Sequence, residues 1–184
     1  MKKIFALLLL LAFTLPGCEK DDICDADTNT TPRLVIEFYD YSDPDLLKSV
    51  TNLKVIADGQ ENGIVFNEAG NDVTRYLANA NKITVPFDTS ADAITYQFIL
   101  NANSGDPGQI YTDTLQFNYA RQTIYISRAC GYSVLFNLNS DNSLPNPFVL
   151  NNDPDALQGT WIQNITVENY NLISENETHL KIYW

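Results

Sequence analysis

The feature of this chain that most limits its fold is a two-residue alternation of apolar and polar side chains near its centre. Every second residue is large and apolar in residues 94–100 and again in residues 115–119. The alternation continues through residues 124–126 and residues 134–138. Because successive side chains of a strand point to opposite faces of a sheet, this period predicts strands with one buried face. Four successive antiparallel strands are the simplest arrangement.

Weaker strand patterns flank this block on both sides. No stretch after residue 25 shows a sustained helical period, so we predict an all-β chain. About nine short strands indicate an antiparallel two-layer β-sandwich, for which an immunoglobulin-like topology is one candidate. The Asn-, Asp- and Pro-rich residues 139–159 predict a long surface connection. The weaker strands are residues 34–39, 53–57, 83–87, 161–167 and 180–184.

The beginning of the chain has the pattern of a secretory leader. Lys2 and Lys3 precede an apolar run at residues 4–13, and smaller residues follow as far as Cys18. The run is about half of the roughly 20 apolar residues that cross a bilayer, so it predicts export and not a membrane span. Residues 15–18, Leu-Pro-Gly-Cys, resemble the lipobox of bacterial lipoproteins. The resemblance implies that residues 1–17 are a lipoprotein signal peptide and that Cys18 is the acylated N-terminus.

The predicted mature chain is a tether followed by one domain. Residues 18–30 form the acylated cysteine and an acidic tether, and residues 31–184 form a single β-sandwich domain of ordinary size. The tether begins Glu-Lys-Asp-Asp at residues 19–22, which resembles the acidic tract that sends lipoproteins of Bacteroidota-type bacteria to the outer face of the outer membrane. We therefore expect a lipid-anchored outer-membrane protein that is exposed on the cell surface; a solvated tether is the plainer interpretation of the same charges.

Three cysteines in an exported protein would ordinarily leave one thiol unpaired. Acylation of Cys18 accounts for the odd number, and Cys24 and Cys130 can then form a disulfide in the oxidising envelope. Such a bridge would close a loop of about 105 residues and contribute roughly 4 to 5 kcal/mol in the chain-entropy description. The alternative is a pair of free buried thiols.

The charge of the chain excludes one class of partner. Removing Lys2 and Lys3 from a formal net charge of −12 leaves −14 on the mature chain. A surface with that charge repels phosphate backbones, so we predict no nucleic-acid partner.

No pattern of residues predicts catalysis, a cofactor or a metal. The only histidine, His179, alternates with Leu180 in the same phase as Lys181, so we predict that it is solvent-exposed. No nucleophile elbow or glycine-rich phosphate loop is present, and the protein is predicted not to be an enzyme. A hydrolase built on paired carboxylates is the weakest alternative. The loop acids Asp40, Asp43 and Asp45, and the Asn- and Asp-rich residues 151–155, are better explained as turn-capping side chains than as calcium ligands.

The aromatic residues divide into two groups by their position on the strands. Phe98, Phe117, Tyr119 and Phe136 are predicted core residues. Tyr39, Tyr125 and Tyr183 fall on the opposite faces, where they could stack on a glycan or pair across strands. A contiguous exposed aromatic patch would favour a carbohydrate-binding module.

One short motif predicts a modification. Asp113, Thr114 and Leu115 resemble the O-glycosylation sequon of Bacteroidota, in which a hydroxyl residue follows Asp and precedes an aliphatic residue. Thr114 lies on the polar face of its predicted strand and is the possible glycosylation site.

A distinctive combination of segments comprises residues 18–24, 31–34, 121–126 and 130–132 and the terminal strand that ends at Trp184. In this combination the whole chain resembles a family of small, uncharacterised outer-membrane lipoproteins of Bacteroidota with a domain of unknown function. The resemblance implies an envelope partner of the outer-membrane β-barrel kind and assigns no activity. We therefore expect a non-enzymatic accessory or interaction domain that binds another envelope protein, with a glycan-binding module as the alternative.

Overall fold

The computed structural model describes residues 23–24, 31–141, 143–151 and 161–184, and these contain ten strands and no α-helix. The described residues also form short 3-10 helices at Thr74–Tyr76 and Pro107–Gln109. No described helix is long and apolar enough to span a membrane. The all-β prediction is confirmed. The strands are β1 (Leu34–Tyr39), β2 (Lys54–Ala57), β3 (Lys82–Val85), β4 (Ala93–Leu100), β5 (Tyr111–Ser127), β6 (Gly131–Leu138), β7 (Phe148–Leu150), β8 (Asn164–Val167), β9 (Asn171–Leu172) and β10 (Leu180–Tyr183).

The strands form two sheets that pack face to face. One sheet has the order β3-β1-β10-β8, in which β1 and β10 are parallel and the other pairs are antiparallel. The second has the order β2-β4-β5-β6-β9, and β7 also pairs with β5. This arrangement confirms the two-layer sandwich. Its order differs from the ABED and CFG sheets of a constant-type immunoglobulin domain, in which no three consecutive strands are neighbours, whereas β4, β5 and β6 are.

The core lies between the two sheets and is rich in aromatic rings. Phe87, which follows β3, stacks on Tyr119 at 4.3 Å and lies 5.4 Å from both Phe117 and Phe136. The four predicted core aromatics are buried, with exposed fractions between 0% and 2%. These contacts connect the end of the smaller sheet to β5 and β6 of the larger one. Burial of such large apolar surfaces is the main driving force for folding.

Two expectations about the strands were wrong. Residues 124–126 are not a separate strand, because β5 is one strand of 17 residues. The apolar positions change phase between residues 119 and 124, which suggested a new strand, but residues 120–123 contain no turn former. The predicted connection at residues 139–159 contains β7, which pairs with residues 115–117 of β5. Residues 142 and 152–160 lie outside the described part of the chain.

His179 is buried, contrary to the prediction that it is exposed. Its side chain is 1% exposed, and its Nδ1 accepts a hydrogen bond of 2.9 Å from the backbone N–H of Val35. Its own N–H donates to the carbonyl of Val35 at 3.0 Å. His179 lies one residue before β10, so the alternation of that strand does not fix its direction. The imidazole instead helps to join the first and last strands of the fold.

We predict that His179 makes the protein less stable in mild acid. Burial lowers its pKa below the ordinary value of 6.5, and protonation would place an N–H against the N–H of Val35. The unfolded chain therefore binds the proton first, and the free energy of unfolding falls by up to about 1.4 kcal/mol per pH unit below about pH 6.5. The loss continues until the pH reaches the lowered pKa of the folded state.

The variant His179→Gln, whose side-chain oxygen can still accept from Val35, should lose this pH dependence. The measurement is denaturant unfolding between about pH 7 and about pH 5. His179 is the only histidine of the chain, and the pKa values of Glu37 and Glu175 are lowered from 4.5, which places their titration below this window. An equal slope in wild type and variant would refute the assignment.

Candidate functional site

The β5–β6 arm, defined as residues 120–135, extends away from the sandwich. The first half of β5 pairs with β4 through residues 111–118 and with β7 through residues 115–117. From Tyr119 onward β5 pairs only with β6 in the described part of the chain. Residues 120–123 are exposed on both faces, whereas residues 117–119 are buried. The strand therefore leaves the core at Tyr119, and the arm is a two-stranded ribbon.

Polar contacts fix the root of the arm to the loop before β4. The Arg121 guanidinium donates to the carboxylate of Asp92 at 2.7 Å and to the carbonyl of Thr89 at 2.6 Å. The Tyr119 hydroxyl donates to the carbonyl of Asp88 at 3.0 Å and accepts from the N–H of the same residue at 3.1 Å. Burial, above all, raises the pKa of Tyr119 to about 12, so the phenol stays protonated at neutral pH. The direction of the arm is thus set by the core.

One edge of β5 is free along the arm. The N–H of Tyr119 donates to Asp92, away from β6, and every second N–H of a strand points to the same side. The N–H groups of Arg121, Thr123 and Tyr125 therefore point away from β6. No described strand pairs with that edge. The hydrogen bonds of β6 agree with this. Val134 lies opposite Thr123 and donates its N–H to the hydroxyl of Thr31 and not to β5.

The tip of the arm carries an exposed aromatic pair. Tyr125 and Tyr132 lie directly opposite each other, with ring centroids 5.4 Å apart and an angle of 66° between the rings. Their side chains are 60% and 73% exposed. Gly131 has a positive φ of 70° in the turn, and Arg128 is exposed in the same turn. The prediction that Tyr125 faces away from the core is confirmed; Tyr132 was not singled out.

Tyr39 and Tyr183, the other two predicted outward-facing tyrosines, pair with each other on the four-stranded sheet. Their rings lie 5.7 Å apart, and the amino group of Lys181 lies 5.3 Å from the Tyr39 ring. The Tyr39 hydroxyl donates to Glu37 at 3.0 Å. Both residues are half-buried in this cross-strand network. Their contacts stabilise the sheet and leave the arm as the more accessible aromatic surface.

The arm is covalently attached to the beginning of the chain. Cys130, in the turn of the arm, forms a disulfide with Cys24, with a Cα–Cα distance of 4.9 Å. The predicted bridge is confirmed. The Thr31 hydroxyl accepts from Val134 at 3.1 Å and adds a second link. Cys18 and the predicted signal peptide and tether lie outside the described residues, so the acylation and these boundaries stay predictions.

The arm also differs from the rest of the chain in charge. Residues 114–140 contain no Asp or Glu, although the whole chain contains 23 acidic residues. The same stretch contains Arg121 and Arg128. The arm itself is therefore a neutral to basic segment of an acidic protein. Of its two arginines, Arg121 is paired with Asp92 and Arg128 is exposed.

The carboxylate of Asp113 is buried, and both of its oxygens accept hydrogen bonds from other parts of the chain. It is 0% exposed, and one of its carboxylate oxygens accepts from the N–H groups of Trp161 and Ile162 at 2.9 and 2.8 Å. The other accepts from the side chain of Asn151 at 2.7 Å. Among the described residues it is the only carboxylate in the buried class. A pair of buried acids facing one cleft is therefore not found in the described part.

Thr114, the predicted glycosylation site, lies in the middle of β5. Its side chain is partly exposed, while the flanking Asp113 and Leu115 are both 0% exposed. Its backbone N–H donates to the side-chain oxygen of Asn151, and the backbone N–H of Asn151 donates to the Thr114 carbonyl. Modification of Thr114 stays a prediction.

The acidic loop at Asp40 is stabilised by its own turn. One carboxylate oxygen of Asp40 accepts from the Ser42 hydroxyl and backbone N–H, and the other lies 3.2 Å from the amino group of Lys48. These contacts, with Ser42 first, lower the pKa of Asp40 to about 2. No group of three or more potential metal ligands occurs among the described residues. Asn152, Asp153 and Asp155 lie outside them.

Comparison with known proteins identifies one family and no further relative. A sequence-family profile matches residues 52–184, more than half of the chain, and its description is "Family of unknown function (DUF6452)". No curated protein matches, and no solved structure matches. The match confirms the expectation of a family without an assigned function. Lipoprotein character and a Bacteroidota origin stay predictions, and the matched region includes the whole arm.

We predict that opening the disulfide lowers stability. The double variant Cys24→Ser/Cys130→Ser should lose about 2 to 4 kcal/mol of unfolding free energy, because the bridge restricts a long loop of the unfolded chain. The measurement is denaturant unfolding with and without reductant. Reductant should destabilise the wild type and leave the double variant unchanged. Two titratable thiols at these positions in the denatured, unreduced protein would contradict the bridge.

Proposed function

The chain belongs to the DUF6452 family of unknown function, and we propose that it is a non-enzymatic accessory lipoprotein of the outer membrane. Lipid on Cys18 holds the sandwich at the membrane. The β5–β6 arm binds another envelope protein, which adds an extended segment to the free edge of β5. The free edge is the observation that carries the proposal.

A free strand edge is a binding surface because its backbone groups form main-chain hydrogen bonds with any extended segment in register. Most proteins cover such edges or shorten them, since they also promote aggregation. Here the edge is the second half of β5, the eight residues 120–127, which are about 26 Å long at the usual rise. Its outward N–H groups belong to Arg121, Thr123 and Tyr125. The exposed side chains of the same residues can select the partner.

The position and charge of the arm support a partner in the envelope. The disulfide holds the arm beside residue 24, six residues after the predicted lipid-bearing Cys18. The stretch without Asp or Glu allows a neutral or acidic segment to approach, whereas the rest of the mature chain would repel an acidic one. An outer-membrane protein also has segments close to the membrane surface, where the anchor would hold the arm.

A carbohydrate-binding module is the second candidate function, and the exposed Tyr125–Tyr132 pair is the observation that favours it. Stacking on a sugar uses an accessible aromatic face, and these two are the most exposed tyrosines among the described residues. Their rings are inclined to each other by 66°, so they do not form one flat platform. The edge hypothesis uses the backbone of β5, and the glycan hypothesis uses these rings. Substitutions can therefore separate the two.

We predict that Cys18→Ser releases the protein from the outer membrane. A single acyl chain binds a membrane weakly and several chains bind it stably, so removal of the modified thiol should move the protein to the soluble fraction. Cell fractionation and the intact mass of the purified protein measure this. Cys24→Ser serves as the control, because it removes a thiol but leaves the predicted lipid. A serine variant that still fractionates with the membrane would contradict the anchor.

We predict that Thr123→Pro abolishes partner binding while the fold survives. Proline removes the N–H that points to the free edge and leaves the ladder to β6 intact, a position at which edge strands tolerate it. Thr123→Val is the matched control, because it changes the side chain and keeps the N–H. A photo-crosslinking residue at the exposed Gln122 in intact cells reports contact with the partner.

The expected result is a specific crosslink in the wild-type and Thr123→Val backgrounds that disappears in Thr123→Pro. An equal crosslink in all three, with normal melting temperatures, would refute binding at the edge. Two results together would favour the glycan function. Tyr125→Ala would lose binding to a glycan array, and Thr123→Pro would leave the Gln122 crosslink in intact cells unchanged.

A further inference from the structure

The tip of the arm has the chemistry of a membrane-interface contact. It presents two exposed tyrosines, Tyr125 and Tyr132, at the ends of β5 and β6, and an exposed arginine, Arg128, in the turn between them. Tyrosine combines an apolar ring with a hydroxyl and is enriched where hydrocarbon meets headgroups. A guanidinium donates hydrogen bonds to lipid phosphate. No carboxylate in residues 114–140 opposes an anionic headgroup.

The disulfide limits how far the tip can be from the predicted anchor. Cys24 is six positions after Cys18, so the segment between their Cα atoms spans at most about 22 Å in any conformation. The Cα atom of Cys130 lies 4.9 Å from that of Cys24. The tip is therefore within reach of the headgroup layer whenever Cys18 carries lipid. Ile23, which is 78% exposed beside the bridge, adds an apolar side chain in the same place.

We propose that the tip of the β5–β6 arm, formed by Tyr125, Arg128 and Tyr132, rests on phospholipid headgroups beside the lipid anchor. This rests on the proposed acylation of Cys18. The contact gives the domain a defined orientation: the arm stands on the membrane and the sandwich lies above it. The free edge of β5 then faces the segments of outer-membrane proteins nearest to the bilayer.

The opposite end of the sandwich provides a matched control. Strand β1 begins near Thr31, which contacts the arm, and runs six residues to Tyr39. Tyr41 follows that end and is 57% exposed, close to the 60% of Tyr125. A six-residue strand is about 20 Å long, so Tyr41 lies well away from the arm side of β1. A tryptophan at either tyrosine is a small change at an exposed ring.

The test uses the full mature lipoprotein reconstituted into phosphatidylcholine–phosphatidylglycerol vesicles with or without brominated phosphatidylcholine. Bromine quenches tryptophan emission only at short range, and the emission of native Trp161 and Trp184 is subtracted with the wild type. We expect the added emission of Tyr125→Trp to shift to the blue and to be quenched by brominated lipid. The added emission of Tyr41→Trp should do neither.

Two failures can be told apart because vesicle flotation is measured on the same samples. Protein that floats with the vesicles but shows equal quenching, or none, at both positions overturns the membrane contact and leaves the anchor and the edge-binding proposal intact. Protein that does not float has no lipid anchor, which overturns the proposed function and this contact together. Normal thermal melting of both variants excludes misfolding as the cause.

Discussion

Strand β5 runs without interruption from the core into the arm and thereby fixes the position of the arm. Its first half is held between β4 and β7 inside the larger sheet, and its second half supplies one side of the arm. Tyr119 marks the change, since its ring stacks on Phe87 in the core while its hydroxyl holds the loop at Asp88. An arm that continues a core strand has its direction and register set by the core. Its free edge is consequently presented in a fixed position.

Two buried polar side chains accept hydrogen bonds from backbone N–H groups that have no partner in either sheet. His179 accepts a hydrogen bond from the backbone N–H of Val35, beside the parallel pair formed by β1 and β10. Asp113 receives the N–H groups of Trp161 and Ile162, where the chain enters the core before β8. Each satisfies backbone donors that no sheet ladder reaches, and an unsatisfied buried donor costs about 1 to 3 kcal/mol. Both residues therefore belong to the structure of the fold.

Local patterns in the sequence were sufficient for most of the fold and for part of the site. The strand at residues 34–39 and the pairing of Cys24 with Cys130 were predicted from alternation and from cysteine number. The length of β5 was not, because its apolar side chains change faces once the strand leaves the core. The burial of His179 was missed since its direction depends on Val35, 144 residues away. Contacts between such distant residues leave no trace in a local period.

The disulfide shortens the segment of chain between the proposed lipid anchor and the folded domain. Without it, the nearest strand to the lipid would be β1, and the 16 residues from Cys18 to Leu34 can extend to about 58 Å. With it, the arm is six residues from the lipid, a reach of about 22 Å. Effective concentration falls steeply as a flexible tether grows beyond the distance to be spanned. A bridge at the tip of the arm therefore favours the arm, above every other part of the domain, for contact with the membrane and its proteins.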